Sequence, residues 1–268
     1  MSEFSITVEG NSSVRLPVGG KYCDRDIIVT AEGGNAEITI DPKKTYIFIN
    51  MGTSRKSPVL GLCALGSLKV DWGDGTTPTV LKGTSISQLI YIGPHTYAEA
   101  GDYVITISQE DGSQLRFMGT SGRGRILCAE RQVSDMDYAY LNAVKKVIMG
   151  STVTAIGASA FYYCSSMTDV VIPDTVTSIA GAAFCYDYYL NNVTIPASVT
   201  NIQNSTFAWC YAATYLDFSS HTSVPNLQNV GALSGTSADC EIRVPAALYD
   251  EWIAATNWAT FASRIVSV

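Results

Sequence analysis

The stretch Ala160-Phe-Tyr-Tyr-Cys-Ser-Ser-Met-Thr-Asp-Val-Val-Ile-Pro-Asp-Thr-Val-Thr-Ser-Ile179 returns 23 residues later as Ala183-Phe-Cys-Tyr-Asp-Tyr-Tyr-Leu-Asn-Asn-Val-Thr-Ile-Pro-Ala-Ser-Val-Thr-Asn-Ile202. The same step relates Val153, Val176 and Val199, and likewise Phe161, Phe184 and Phe207. It also carries Val170 to Val193 and Leu216, and Ile172 to Ile195 and Phe218. Pro173 and Pro196 match, the third copy has Ser219 instead, and a degenerate earlier copy ends in Val147-Ile-Met149. Each copy offers a short β-branched strand, a turn and a second apolar segment, Val-Thr-x-Ile. No single copy can bury these residues; stacked copies align them into one core. The repeat therefore predicts a stacked β solenoid.

The pattern Ala160-Phe161-x-x-Cys164 followed by Val170-x-Ile172-Pro173-x-x-Val176-Thr-x-Ile179 resembles the BspA-like class of leucine-rich repeats. The second copy departs from it with Asp187 where the family prefers Cys. The third lacks the Pro and the small residue before Phe207. The resemblance covers about 144–220. It implies the repeat fold and, since such repeats serve in adhesins and in surface and virion proteins, a recognition role.

Between the framework positions lies a window that does not repeat: Tyr162 to Asp169, Cys185 to Asn192, and Ala208 to Tyr215. Nine of the fifteen tyrosines fall between Tyr138 and Tyr215. Tyr and Trp among Ser, Asn and Asp give rigid contact area and adaptable hydrogen bonding, the composition of a binding surface. The candidate partner-binding residues are Tyr162, Tyr163, Tyr186, Asp187, Tyr188, Tyr189, Asn192, Trp209, Tyr211 and Tyr215. The competing reading is that the rings stack on one another and merely solvate the flank. From 153 to 221 there is no Lys or Arg, and only Asp169, Asp174, Asp187 and Asp217 are acidic. Recognition there would rest on stacking and hydrogen bonds rather than on charge steering.

Over all 268 residues the chain is 47% hydrophobic and only 15% charged, against about 25% in average domains. A net charge of −7 argues against a nucleic-acid partner, which would meet a basic face. The least polar stretch, 59–70, is too short to cross a bilayer, so no membrane insertion is expected. The start MSEFSITVEG carries no secretory pattern. Seven widely spaced cysteines without a CxxC pair read as buried free thiols, not as a zinc site or a disulfide framework. Cys164 and Cys210, two copies apart, should lie beyond disulfide reach. With two histidines and no catalytic or dinucleotide motif, no enzyme, cofactor or metal is expected.

Upstream, Asp71-Trp72-Gly-Asp74-Gly75-Thr76 precedes Pro94-His95-Thr-Tyr97 and Gly101-Asp-Tyr103. Strand, Gly-Asp-Gly turn and alternating strand give a β-sandwich pattern, and the residues resemble the PKD domain, an immunoglobulin-like spacer module. Asp71 and Asp74 read as turn formers rather than calcium ligands, and His95 as structural. Gly20-Lys-Tyr-Cys-Asp-Arg-Asp-Ile-Ile-Val-Thr-Ala31 resembles a short segment of phage tail and virion proteins. Gly119-Thr-Ser-Gly-Arg-Gly-Arg125 reads as a solvated linker. Cys240 to Pro245 reads as a last strand and Ala246 to Ala255 as a helix, with Trp252 and Trp258 in a core-covering cap.

The expected architecture is mainly β and multidomain. It comprises a small N-terminal β unit (1–34), a PKD-like sandwich (36–115) and a linker with the solenoid edge (116–143). Leucine-rich repeats of period 23 (144–221) and a C-terminal helical cap (222–268) follow. The expected function is a phage or prophage virion-associated binding protein. Its N-terminal unit would dock to other virion subunits, and its Tyr-rich face would contact a host surface glycan or protein, in a chain that could also self-assemble. The alternatives are a virion decoration protein that binds no receptor, and a bacterial cell-surface adhesin.

Overall fold

Phe161, Phe184 and Phe207 stack face to face, with centroids 5.3 and 5.5 Å apart, and none reaches solvent. This column is the axis of the repeats in the computed structural model. The model describes the strands at 5–8, 13–17, 26–30 and 36–39, and then residues 41–54, 56–110, 112–119, 123–129 and 138–268.

Around the column each copy contributes one strand to a parallel ladder. Val144–Ile148, Asp169–Val171, Asn192–Thr194, Tyr215–Asp217 and Glu241–Val244 follow one another in space as in sequence. Val170, Val193 and Leu216 point inward. A second contact per copy runs through Ile156, Ile179 and Ile202, joined by parallel bridges on another side of the stack. The three central strands are only three residues long because the chain must turn twice within each 23-residue copy. Each therefore gets its stability from the neighbouring copies rather than from its own hydrogen bonds. The cap closes the stack: Tyr249–Ala254 is helical, Trp252 and Trp258 are buried against Phe218, and the Trp258 indole N–H donates to the Pro225 carbonyl at 2.7 Å. A further strand, Ile265–Ser267, pairs with Ile242–Val244 and resumes the 23-residue step.

Upstream, Thr45–Met51, Val59–Asp71, Thr79–Ile92, Gly101–Gln109 and Gln114–Phe117 pair antiparallel, with Val59–Asp71 central. Trp72 stacks on His95 at 4.6 Å, the His95 Nε2 lies 2.7 Å from the Asp74 carboxylate, and the Tyr97 hydroxyl donates to the Trp72 carbonyl. Asp71 and Asp74 accept from the Gly73 and Thr76 backbone N–H groups, as turn formers do. Gly73 and Gly75, at φ 79°, supply the left-handed steps between them.

The two parts share hydrogen-bonded sheet. Thr45–Met51 pairs antiparallel with Val144–Ile148, and Gln114–Phe117 pairs parallel with Val153–Ile156. Phe117 lies 5.2 Å from Phe161, so the two cores are continuous. The expectation of a solvated linker at 119–125 needs correction on this point. Arg125 is buried, and Leu127–Cys128 pairs with Val59–Leu60. A side chain at Gly119 or Gly124 would run into the Ser159 or Tyr162 carbonyl. Glycine is needed there for close approach, not for flexibility.

At the N-terminus, Ser5–Val8 pairs with Ala36–Thr39 and Ser13–Pro17 with Asp26–Thr30. Of the Gly20–Ala31 string only Asp26–Thr30 is described; Gly20–Arg25, Cys23 included, and Ala31 lie outside the described residues. Cys63, Cys128, Cys164, Cys185, Cys210 and Cys240 are free and buried.

Candidate binding face

Each copy reverses direction after its Phe, and the turn uses left-handed backbone. Ser159, Ala182 and Ser205 have φ of 53°, 55° and 57°; Tyr163, Tyr186 and Trp209, four residues later, have 69°, 65° and 65°. The backbone N–H of each aromatic donates to the next copy, to the carbonyls of Cys185, Ala208 and Ser234 respectively. The turn is thus locked copy to copy. Left-handed backbone favours Gly and, less strongly, Asn. Here it carries three of the bulkiest side chains, at one structural position, in three consecutive copies.

Those side chains form a column outside the Phe column. Tyr163 lies 5.4 Å from Tyr186, and Tyr186 stacks parallel on Trp209 at 6.0 Å. Gly235 lies against the indole: a side chain there would press on three atoms of the ring. A second column runs beside the first. Tyr188 stacks on Tyr211 at 5.3 Å, its hydroxyl donates to that of Tyr163 at 3.2 Å, and edge contacts tie it to Tyr186. That hydrogen bond, followed by burial, raises the Tyr188 phenol above its ordinary range. Tyr162 abuts Tyr163 and meets Tyr186 edge-on. Tyr211 is 54% exposed and Tyr189 65% exposed; the other rings are half-buried.

Six of the ten expected residues therefore meet in one patch, and Tyr189 is exposed in the same turn segment as Tyr188. Asn192 and Tyr215 belong elsewhere: they occupy one register position on the parallel strands, where Asn192 Oδ1 accepts from the Tyr215 N–H. The Arg243 guanidinium lies over the Tyr215 ring at 3.7 Å. The expected single face is in fact two.

Asp187 must be corrected outright. It is fully buried, at the register position of Cys164 and Cys210, and cannot touch a partner. Neither carboxyl oxygen has a hydrogen bond. Burial pushes its pKa well above the carboxylate range, against the smaller lowering effect of the Cys164 backbone. Burial likewise raises the Cys164 and Cys210 thiols, and pushes Cys185 up to about 12. These thiols are packing groups, not nucleophiles. Among the described residues no three His, Cys, Asp or Glu side chains are grouped to hold a metal ion.

The inward register of Val, Ile and Phe, repeated along a parallel ladder, agrees with a direct match: residues 132–232 correspond in six copies to the BspA type leucine-rich repeat region. The chain carries a BspA-type leucine-rich repeat region. The match extends the three copies and one degenerate copy visible by eye in both directions. The leucine-rich repeat protein of T. pallidum, known from a crystal structure, is similar at 19% identity with a TM-score of 0.33. The likeness covers 50% of this chain and 65% of that one, so the chain spans less than two thirds of that protein's length. No curated protein matches. The BspA-type leucine-rich repeat is a family not known for catalytic activity. No helix among the described residues is long and apolar enough to cross a membrane.

Proposed function

We propose that this is an adhesin-like surface-recognition protein whose leucine-rich repeats bind a partner through the Tyr162, Tyr163, Tyr186, Tyr188, Trp209 and Tyr211 patch. The observation carrying this reading is the left-handed backbone at Tyr163, Tyr186 and Trp209. A non-glycine residue there costs roughly 1–2 kcal/mol. Ring contacts return about 0.5–1.5 kcal/mol each, and these three rings make seven of them with one another and with Tyr162, Tyr188 and Tyr211. Packing offsets the strain, and what supports the reading is that strained backbone, held in register over three copies, carries large aromatic rings that stay partly open to solvent. In this reading the upstream strands, with their Trp72–His95–Tyr97 cluster, are a PKD-like spacer that holds the face away from an anchor. The stack is an open-flanked solenoid displayed at a bacterial surface. No comparison supports placement in a virion.

The test uses the full chain and a triple variant, Tyr163→Asn, Tyr186→Asn and Trp209→Asn, since Asn tolerates this backbone. Adherence to host epithelial cells should fall at least tenfold while far-ultraviolet circular dichroism is unchanged. Equal adherence of the two proteins overturns the reading.

A further inference from the structure

The Leu190 N–H donates to the Asp187 carbonyl at 3.0 Å and closes the turn of the middle copy. Met167 and Ala213 close the turns before and after it in the same way, on the carbonyls of Cys164 and Cys210. Three equivalent turns thus carry Cys, Asp and Cys at one inward position. Only the middle one holds a group that is charged in water at neutral pH.

That carboxyl reaches no solvent, and neither oxygen has a hydrogen bond. The titratable groups that face it are thiols from three copies: Cys164 before, Cys185 in its own turn and Cys210 after. Burial keeps all three neutral, and the Cys210 thiol is committed to the Phe184 carbonyl. From 153 to 220 the sequence has no Lys, Arg or His to supply a counter-ion. A carboxylate left here would be a buried, unpaired charge, which is strongly destabilising. The closed turn therefore accommodates the protonated acid only, in keeping with the upward push that burial gives its pKa.

The turn is also placed to open by itself. It lies outside the Phe column, and its Tyr186, Tyr188 and Tyr189 rings are half-buried or exposed. Its neighbours hold it through the Tyr163 N–H to the Cys185 carbonyl, the Tyr186 N–H to the Ala208 carbonyl and the Ala212 N–H to the Tyr188 carbonyl. Surface segments of this kind open at lower free energy than the core around them. Opening would have one specific consequence. Every ring contact between copies in the patch runs through Tyr186 or Tyr188.

We propose that Asp187 is a pH gate: protonated, it holds the middle turn closed and the aromatic patch whole; ionised, it leaves the core, opens the turn and divides the patch in two. The open turn gives up the proton near pH 4. Between there and the higher value of the closed turn, each unit of pH favours opening about tenfold. The gate operates whichever partner the patch takes, so it stands or falls apart from the adhesin reading.

The test is native-state hydrogen exchange of the full chain by nuclear magnetic resonance at pH 5, 6 and 7, each rate corrected for the intrinsic effect of pH. The opening constant of the Leu190 amide should rise about a hundredfold from pH 5 to 7. Ala212, whose acceptor lies in the middle turn, should follow it, and Met167 and Ala213 should not. At every pH Leu190 should open at least tenfold more often than Ile195, whose N–H donates to the Asp217 carbonyl in the strand ladder. In Asp187→Asn the rise should vanish. Asp187→Cys, which installs the residue of the neighbouring copies, should show the same loss if the amide variant does not fold. A change below threefold in the unaltered protein overturns the gate, as does an equal rise in the variants. Opening of Leu190 no more frequent than that of Ile195 overturns it too, by assigning the proton to unfolding of the whole stack.

Discussion

At position 187 an aspartate occupies the site that holds Cys164 one copy earlier and Cys210 one copy later, with no solvent and no donor for its carboxyl. Its pKa is raised by burial, so the native chain keeps a proton that the unfolded chain, with an ordinary value near 3.9, gives up. Folding then takes up a proton, and stability falls as pH rises from about 4 toward the native value. Restoring the neighbours' residue should remove both penalties. Asp187→Cys is expected to stabilise the protein at pH 7 by about 1–3 kcal/mol, the cost of a buried unsatisfied polar group. It should also flatten this part of the pH dependence in urea unfolding at pH 5, 6 and 7. Asp187→Asn, which only swaps one unpartnered polar group for another, should recover much less. Reading Asp187 as a surface residue followed its chemical type. Its register with Cys164 and Cys210 was visible in the sequence and pointed inward.

Among the elements, the junction of the last repeats and the cap carries an acid-sensitive group. His221 is buried with Nδ1 3.1 Å from the Phe218 carbonyl and Nε2 3.1 Å from the Val199 carbonyl, and Trp252 is edge-on at 6.4 Å. A neutral imidazole has one N–H and can serve only one of these acceptors. Burial nonetheless lowers its pKa below the ordinary 6.5, outweighing the two carbonyls and Asp217, which favour the charge. The unfolded chain therefore binds a proton that the native chain refuses, and stability is lost as pH falls from about 6.5 through the native value. Measured in the Asp187→Cys background, to remove the opposite slope, the denaturation midpoint should drop between pH 7 and 5. In His221→Gln it should be lower at pH 7 but flatter across that range. An identical slope in both proteins would assign the acid sensitivity elsewhere. The strands of this region were legible in the sequence because their apolar positions recur every 23 residues. The left-handed turns were not, since a positive φ at Tyr or Trp leaves no trace in composition or period. Ile265–Ser267 was missed for another reason: its partner, Ile242–Val244, is supplied by the preceding cap segment rather than by a recognisable copy.

For the molecule as a whole, the decisive feature is the sheet that passes from the upstream strands into the repeats. Its pairings, 45–51 with 144–148 and 114–117 with 153–156, join segments about 40 to 100 residues apart. No local pattern announces such a contact, and the glycines of 119–125 look like hinge residues until their close approaches are seen. Because Phe117 and Phe161 pack in one core, the parts should not melt separately. Phe161→Ala is expected to cost about 3–5 kcal/mol and to lower a single calorimetric transition that covers both. Two resolved transitions, with only the later-sequence part shifted, would show that the shared sheet does not couple them.

The repeat stack is flanked by unlike ends, an antiparallel strand on one side and a tryptophan-anchored cap on the other, while its interior advances by a uniform 23-residue step. Duplication or loss of one interior copy would therefore leave both ends chemically unchanged. Each added copy would lengthen the ladder by about 4.8 Å and append one more ring to the outer column. Such a gene can vary the reach and valence of its face in whole units, by recombination alone, without redesigning a single contact at either end.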